Sequence, residues 1–245
     1  MRTIRIYQVG NYGVPDIIDL SESAGQHVGT VLRMQAGEKL VLFSGDNREW
    51  DVEIVTARKK KVSVRIVAER LVNRESPRII RLAQAISKGE RMEIIIQKAV
   101  ELGVTTITPL ISEHCVVRLE NDRLEKKHRQ WEAIAISACE QCGRNSIPEI
   151  YAPITFKDFL KTCKISEKFL LHPTSNLTLD KLKLSSSEVL VLIGPEGGLS
   201  EEEIRLAIKN NFQAISLGPR ILRTETAAIS ILSILQVLKG DLGLS

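Results

Sequence analysis

The sequence predicts an α/β protein with a mostly parallel sheet, preceded by a small β-rich domain, and three observations carry that expectation. Five consecutive apolar residues, Val189-Leu190-Val191-Leu192-Ile193, suit a strand covered on both faces by helices. From Arg78 onward, strand-like and helix-like segments alternate, which is the signature of a parallel sheet with crossover helices. Before residue 72, short alternating stretches follow one another through tight turns, which suggests a small barrel. A chain of 245 residues makes one large or two modest domains at roughly 100–200 residues each. The polar, proline-ended stretch Val72–Pro77 is the expected boundary between a domain 1–72 and a domain 73–245.

The elements follow in order. Ile4, Ile6 and Gln8 begin an extended segment, and a short helix is expected over Glu22–Met34, ended by Gly37. Leu40–Phe43, Trp50–Ile54 and Val62–Val67 read as strands, separated by the turn Ser44-Gly45-Asp46-Asn47 and by a basic turn at Arg58–Lys61. In the second half Ile79–Ala83 and Thr106–Ile111 read as strands. Met92, Ile95, Ile96 and Ala99 mark one face of a helix over Arg91–Leu102, stopped by Gly103. Arg123–Cys142 is a long helix, Phe169–Leu171 and Val189–Ile193 are buried strands, Glu201–Asn210 is a helix, Ala214–Leu217 a strand and Glu225–Leu238 the last helix.

Composition excludes several classes. With 43% hydrophobic and 26% charged residues the chain is neither disordered nor of low complexity. Its longest nearly apolar stretch, Ala227–Leu238, is interrupted by Ser230, Ser233 and Gln236 and falls short of the roughly twenty residues of a membrane span. Met1-Arg2-Thr3-Ile4-Arg5 has no secretory pattern, so a cytoplasmic address is expected. Four cysteines are too few for a disulfide scaffold, and Cys139-Glu140-Gln141-Cys142 lies within a helical pattern without a second pair, so no metal site is expected. A formal charge of +4 permits a nucleic-acid partner without demanding one.

Ligands of open α/β sheets bind beyond the carboxyl ends of the strands, so the segments after the three best buried strands are the first candidates. His172-Pro173 follows Leu171. Gly194-Pro195-Glu196-Gly197-Gly198-Leu199-Ser200 follows Ile193, and Gly218-Pro219-Arg220-Ile221-Leu222-Arg223-Thr224-Glu225-Thr226 follows Leu217. The glycine loop permits close backbone approach to a ligand, with Ser200 and Glu203 as a capping box, or it is simply a strand-to-helix turn. It lacks the Gly-Lys-Ser/Thr of a P-loop, and no Gly-x-Gly occurs in the chain. Arg223 and Glu225 could form a helix-entry salt bridge or belong to a site. Arg58, Lys59, Lys60 and Lys61, with Arg65 nearby, are either a solvated hairpin tip or a phosphate-contacting patch.

The glycine loop and the run Leu217–Ala227 resemble the two cofactor-loop motifs of the SPOUT methyltransferases. More narrowly, the chain is similar to the 16S ribosomal RNA uracil-N3-methyltransferase family, small-subunit methyltransferase E. Val31-Leu32-Arg33-Met34, Lys88-Gly89-Glu90-Arg91-Met92-Glu93, Gln97–Gly103 and Ala138–Asn145 resemble its other blocks. The resemblance implies a PUA-like RNA-binding barrel followed by a SPOUT domain with a C-terminal trefoil knot. It also implies S-adenosylmethionine as cofactor, a homodimer, and 16S rRNA or the small ribosomal subunit as partner.

Under that resemblance, the backbone at Leu171, Ile193, Gly194, Leu217, Gly218 and Leu222, with Gly197 and Gly198, encloses the cofactor. His172, Glu196 and Thr224 border the same pocket. Uracil N3 must lose its proton before it attacks a methyl group, which calls for a positioned base and for donors at the carbonyl oxygens. Arg223 is expected to be the donor, Glu225 the base or its orienting group, Glu196 a weaker candidate, and Arg144 a residue that reaches the substrate. Arg33 and the turn Arg58–Lys61 would hold flanking phosphates. The competing expectations are a non-catalytic RNA-binding or assembly factor on the same fold, and methylation at another RNA position.

Overall fold

The computed structural model describes residues 3–115, 121–178, 182 and 184–243. The chain forms two compact units, Met1–Glu75 with Cys139–Ile147, and Ser76–Ala138 with Pro148–Ser245.

In the first unit, β1 (Arg5–Tyr7), β2 (Ile17–Asp19), β3 (Lys39–Phe43), β4 (Arg48–Arg58) and β5 (Lys61–Leu71) make one sheet in the order β1-β3-β4-β5-β2. Period-two alternation turns Trp50, Val52 and Ile54 of β4, and Val62, Val64 and Ile66 of β5, into a core with Ile6, Leu20, Val28, Leu40 and Leu42. The Gln8 side chain spans the two edges of the sheet, donating to the Asp19 carbonyl at 3.3 Å and accepting from the Ser21 N–H at 2.9 Å.

The single helix expected over Glu22–Met34 is shorter and changes character. Helix α1 covers Glu22–Gln26, a π-helical turn covers His27–Val31, and Arg33 turns the chain at φ 55°. The cause is a close backbone approach. Gly25 and Gly29 lie four residues apart on one face, and a Cβ at Gly29 would stand 2.0 Å from the Lys59 carbonyl oxygen. The basic turn therefore rests directly on this helical segment.

Beside the sheet lies a buried polar cluster. Glu49, 2% exposed, accepts from Arg5 Nη1 (2.8 Å), Arg74 Nη1 (3.0 Å) and Asn145 Nδ2 (3.0 Å). Burial alone would raise its pKa, but these donors outweigh burial and hold the carboxyl at about 2. Asn145 Nδ2 also donates to the Val72 carbonyl at 2.8 Å.

The second unit is built on β6 (Ile79–Ala85), β7 (Thr106–Ile111), β8 (Glu149–Ile150), β9 (Ile154–Thr155), β10 (Lys168–Leu171), β11 (Glu188–Ile193) and β12 (Gln213–Ile215). Its strand order is β12-β10-β11-β6-β7-β8, with β9 also on β7, and every pairing is parallel. The run Val189–Ile193 is buried throughout, as its composition requires. The helices are α2 (Glu90–Glu101), α3 (Asn121–Cys142, whose last turn belongs to the first unit), α4 (Phe156–Thr162), α5 (Glu201–Lys209) and α6 (Thr224–Lys239).

Helix α2 buries Met92, Ile95, Ile96 and Ala99 and packs against α6. There the fully buried Gln236 accepts from Ser76 Oγ at 2.8 Å and donates to the Leu102 carbonyl at 2.7 Å. The strand expected over Ala214–Leu217 covers Gln213–Ile215; Ser216 leaves β10 to form an isolated parallel bridge with Thr178, and its Oγ accepts from the Gly218 N–H at 3.2 Å. Among the described residues, no helix is long and apolar enough to cross a membrane.

Candidate active site

Parallel pairing brings the carboxyl ends of β6, β7, β10, β11 and β12 to one edge of the sheet. The loops that leave β10, β11 and β12 surround a cavity of about 590 Å³, within the range of small-molecule sites. Leu171 and His172 line it from β10, where the His172 N–H donates to the Ile215 carbonyl at 2.9 Å. Ile193, Gly194, Glu196, Gly197 and Gly198 line it from β11. Leu217, Gly218, Leu222, Arg223 and Thr224 line it from β12 and the start of α6. Glu225 is absent from the lining although its neighbours Thr224 and Ala227 are present.

The glycine loop is held from several sides. Gly198 N–H donates to the Pro195 carbonyl at 2.9 Å, and His114 Nδ1 lies 3.2 Å from the Gly198 carbonyl. The expected capping box is present, and Glu203, which completes it, also accepts from the Glu113 N–H at 2.9 Å. Gly198 and Gly218 have φ of 72° and 114°, a conformation that costs glycine little and other residues more.

Thr224 ties the third loop to the second. Its buried hydroxyl donates to the Gly194 carbonyl at 2.8 Å and accepts from Gln84 Nε2 at 3.0 Å. Gln84 went unread in the sequence. The available signal was one polar residue between Ala83 and Ala85 in an apolar strand. Arg91, Arg220, Ile221 and Ala227 also line the cavity.

The charged groups divide into paired and unpaired. Glu196 accepts from the Lys88 N–H at 2.9 Å and from Arg91 Nη1 at 2.8 Å. Partial burial pushes its pKa up, but hydrogen bonds from its own backbone, Arg91 and Lys88 prevail and hold it below the ordinary carboxylate value. Arg223, the N-cap residue of α6, is exposed and makes no ion pair among the described residues. No helix-entry bridge to Glu225 forms. The nearest cation to Glu225 is Arg91, with Nε 3.9 Å from Oε1, while Glu225 Oε2 is buried without a hydrogen-bond partner.

The remaining candidates lie in the first unit. Arg144 is buried and grips Glu75 with two nitrogens, Nε at 3.0 Å from Oε1 and Nη2 on Oε2. Arg33, Arg58, Lys59, Lys60 and Lys61 are exposed, and Lys60 Nζ meets Glu22 at 3.1 Å. Among the described residues, no cluster of histidine, cysteine, aspartate or glutamate could hold a metal ion.

Comparison with known proteins fits this arrangement. The RNA methyltransferase domain family matches residues 74–236, and the RNA methyltransferase PUA domain family matches residues 20–67. A ribosomal RNA small subunit methyltransferase E from Buchnera aphidicola subsp. Schizaphis graminum is 42% identical over 242 residues, 98% of each chain. A methyltransferase from Legionella pneumophila, solved in complex with S-adenosylmethionine, aligns with a TM-score of 0.96 and 53% identity over 98% of this chain and 100% of that one. A ribosomal RNA small subunit methyltransferase E from Neisseria gonorrhoeae, bound to S-adenosylmethionine, aligns with a TM-score of 0.90 and 36% identity over 98% and 99% of the two chains. With a parallel α/β unit, a PUA-like unit before it and likeness along nearly its whole length, the chain belongs to the ribosomal RNA small subunit methyltransferase E family of the SPOUT superfamily.

Proposed function

We infer that the chain transfers the methyl group of S-adenosylmethionine to N3 of a uridine in small-subunit ribosomal RNA. The observation that carries this reading is the cavity at the carboxyl edge of the parallel sheet, with a guanidinium in its wall, Arg223, that has no ion-pair partner among the described residues. Apolar Ile193, Leu199, Ile215 and Leu222 suit the adenine ring, and the glycine loop suits the polar remainder of the molecule. When bound, S-adenosylmethionine supplies an electrophilic methyl on a sulfonium.

The protein's part is to hold the uracil and to shape its charge. Loss of the N3 proton spreads negative charge onto the flanking carbonyl oxygens, and Arg223 is placed to receive it. That lowers the cost of deprotonation, and the proton leaves to solvent at the cavity mouth. Glu225 takes the orienting role, since it stands outside the lining and faces Arg91. Glu196, already engaged by two donors, holds the cofactor loop. Arg144, whose guanidinium is engaged by Glu75, is assigned a structural part in the first unit and no direct part on the base.

N3 lies on the pairing edge of the base, so the target uridine must be unpaired or flipped out. Residues 1–72 are assigned to RNA binding as a PUA-like domain, with Arg33 and Arg58–Lys61 on flanking phosphates, and residues 73–245 to catalysis. A trefoil knot in the catalytic domain is supported by the return of the chain from edge strand β12 to Gly194 and Gln84 through Thr224. A homodimer is supported by the exposed apolar Val237, Leu238 and Leu242. The proposed place of work is the cytoplasm, where ribosomal RNA is assembled into subunits.

The test is incubation of the purified protein with labelled S-adenosylmethionine and small-subunit RNA or assembled subunits, followed by nucleoside mass spectrometry. Label in 3-methyluridine is expected. Label in another nucleoside redirects the reading, and RNA binding with no cofactor uptake replaces it with a non-catalytic factor.

A further inference from the structure

Arg91 stands in the first turn of α2, and its guanidinium faces carboxylates from two separate segments. Nη1 donates to Glu196 Oε1 at 2.8 Å, and Nε lies 3.9 Å from Glu225 Oε1. Glu196 belongs to the cofactor loop. Glu225 belongs to the first turn of α6, two residues beyond Arg223, and Arg91 itself lines the cavity between them. A planar fork of donors can hold two anions in different directions, whereas a lysine ammonium acts as a compact point charge.

The two tethers are unequal. Glu196 keeps a second donor, the Lys88 N–H at 2.9 Å, so its loop does not depend on Arg91 alone. Glu225 has no hydrogen-bond donor among the described residues, its only partner there being the Arg91 ion pair at 3.9 Å, and its Oε2 is buried and bare. Nor does Arg223 have a partner of its own among those residues to fix its position.

We propose that Arg91 is a positioning residue that clips the first turn of α6 to the cofactor loop through Glu225 and Glu196, and so sets where the Arg223 guanidinium stands. The inference rests on the methyl-transfer reading above. Arg91 touches Arg223 only through Glu225, so its loss acts on the reaction through alignment, where small displacements are costly.

The experiment pairs calorimetric titration of S-adenosylmethionine with single-turnover methyl transfer to small subunits at saturating cofactor. Arg91→Gln is expected to lose about tenfold or more in rate, while cofactor affinity falls by less than about threefold. Arg91→Lys is expected to bind the cofactor as the wild type does and still lose rate. Glu225→Gln should reproduce the rate loss, and the Arg91→Gln/Glu225→Gln double variant should be no slower than the slower single variant.

A fully active Arg91→Lys or Arg91→Gln, or rate losses that multiply in the double variant, would overturn the clip while leaving the enzyme reading intact. So would a loss of thermal stability with unchanged rate. A wild-type protein that takes up no cofactor and transfers no methyl overturns both.

Discussion

Replacing Thr224 by valine keeps the shape of the side chain and removes one hydroxyl from the junction of β6, the glycine loop and α6. Two hydrogen bonds go with it, to the Gly194 carbonyl at 2.8 Å and from Gln84 Nε2 at 3.0 Å. At a net contribution of about 0.5–1.5 kcal/mol each, the loss is about 1–3 kcal/mol. Gln84 Nε2 retains the Ala85 carbonyl at 2.9 Å and the Gly194 carbonyl at 3.4 Å, so neither group is left bare and the loss is that of the two hydroxyl bonds themselves. For a protein of this size each kcal/mol moves the unfolding midpoint by about 2–4 °C. Taking about 2 kcal/mol as the central value, Thr224→Val should melt about 4–8 °C lower. Thr224→Ser keeps the hydroxyl and should lose far less. Thermal unfolding of the three proteins measures this, with and without S-adenosylmethionine. The cofactor should stabilise the valine variant less than the wild type, because Gly194 forms part of the cavity wall. A valine variant melting within about 1 °C of wild type would refute the assignment of this hydroxyl as the tie between the loops.

Four further outcomes are expected. Arg223→Ala should keep its fold and its cofactor affinity while losing more than about tenfold in rate, a barrier increase above roughly 1.4 kcal/mol, measured by single-turnover methyl transfer. Neutralising Lys59, Lys60 and Lys61 together should weaken RNA binding and flatten the salt dependence by about 2 in log–log slope, at roughly 0.7 per phosphate contact on single strands. Gly29→Ala should destabilise the first unit and displace the basic turn, since its new Cβ would meet the Lys59 carbonyl at 2.0 Å, so RNA affinity should fall with thermal stability. Glu49 has a folded-state pKa depressed to about 2 from an ordinary 4.5. Its stabilisation is therefore complete above pH 4.5 and is lost as pH falls toward 2, amounting to roughly 3 kcal/mol. Acid titration of Glu49→Gln should show a shallower fall across that window.

The parallel unit was legible because its strongest signals are one-dimensional. A fully apolar run needs cover on both faces, and β11 has it. The i, i+3, i+4, i+7 spacing of Met92, Ile95, Ile96 and Ala99 became the buried face of α2. The three loops were legible because parallel strands place their carboxyl ends together, so residues far apart in sequence meet once the strands are identified. Other features depend on contacts that no local pattern encodes. The pairing of Arg91 with both Glu196 and Glu225 joins residues more than a hundred positions apart. Glu225 read as a partner for Arg223 because the two are near in sequence, whereas the start of α6 turns it toward α2. The break in the expected helix at residue 27 came from the hairpin beneath it, through Gly25 and Gly29. Arg144 read as a residue that reaches the substrate, and only the fold brings Glu75 to it.

Asn145 has a consequence for anyone who would work with the first unit alone. It is fully enclosed, donating to Glu49 and Val72 and accepting from Arg5, and it arrives from a stretch some seventy residues downstream. A gene fragment ending near codon 75 would encode every strand of the first sheet yet leave this polar knot short of its amide. Recombination between relatives at that point, or expression of the excised piece, would then yield a protein with a charged hole where a keystone belongs.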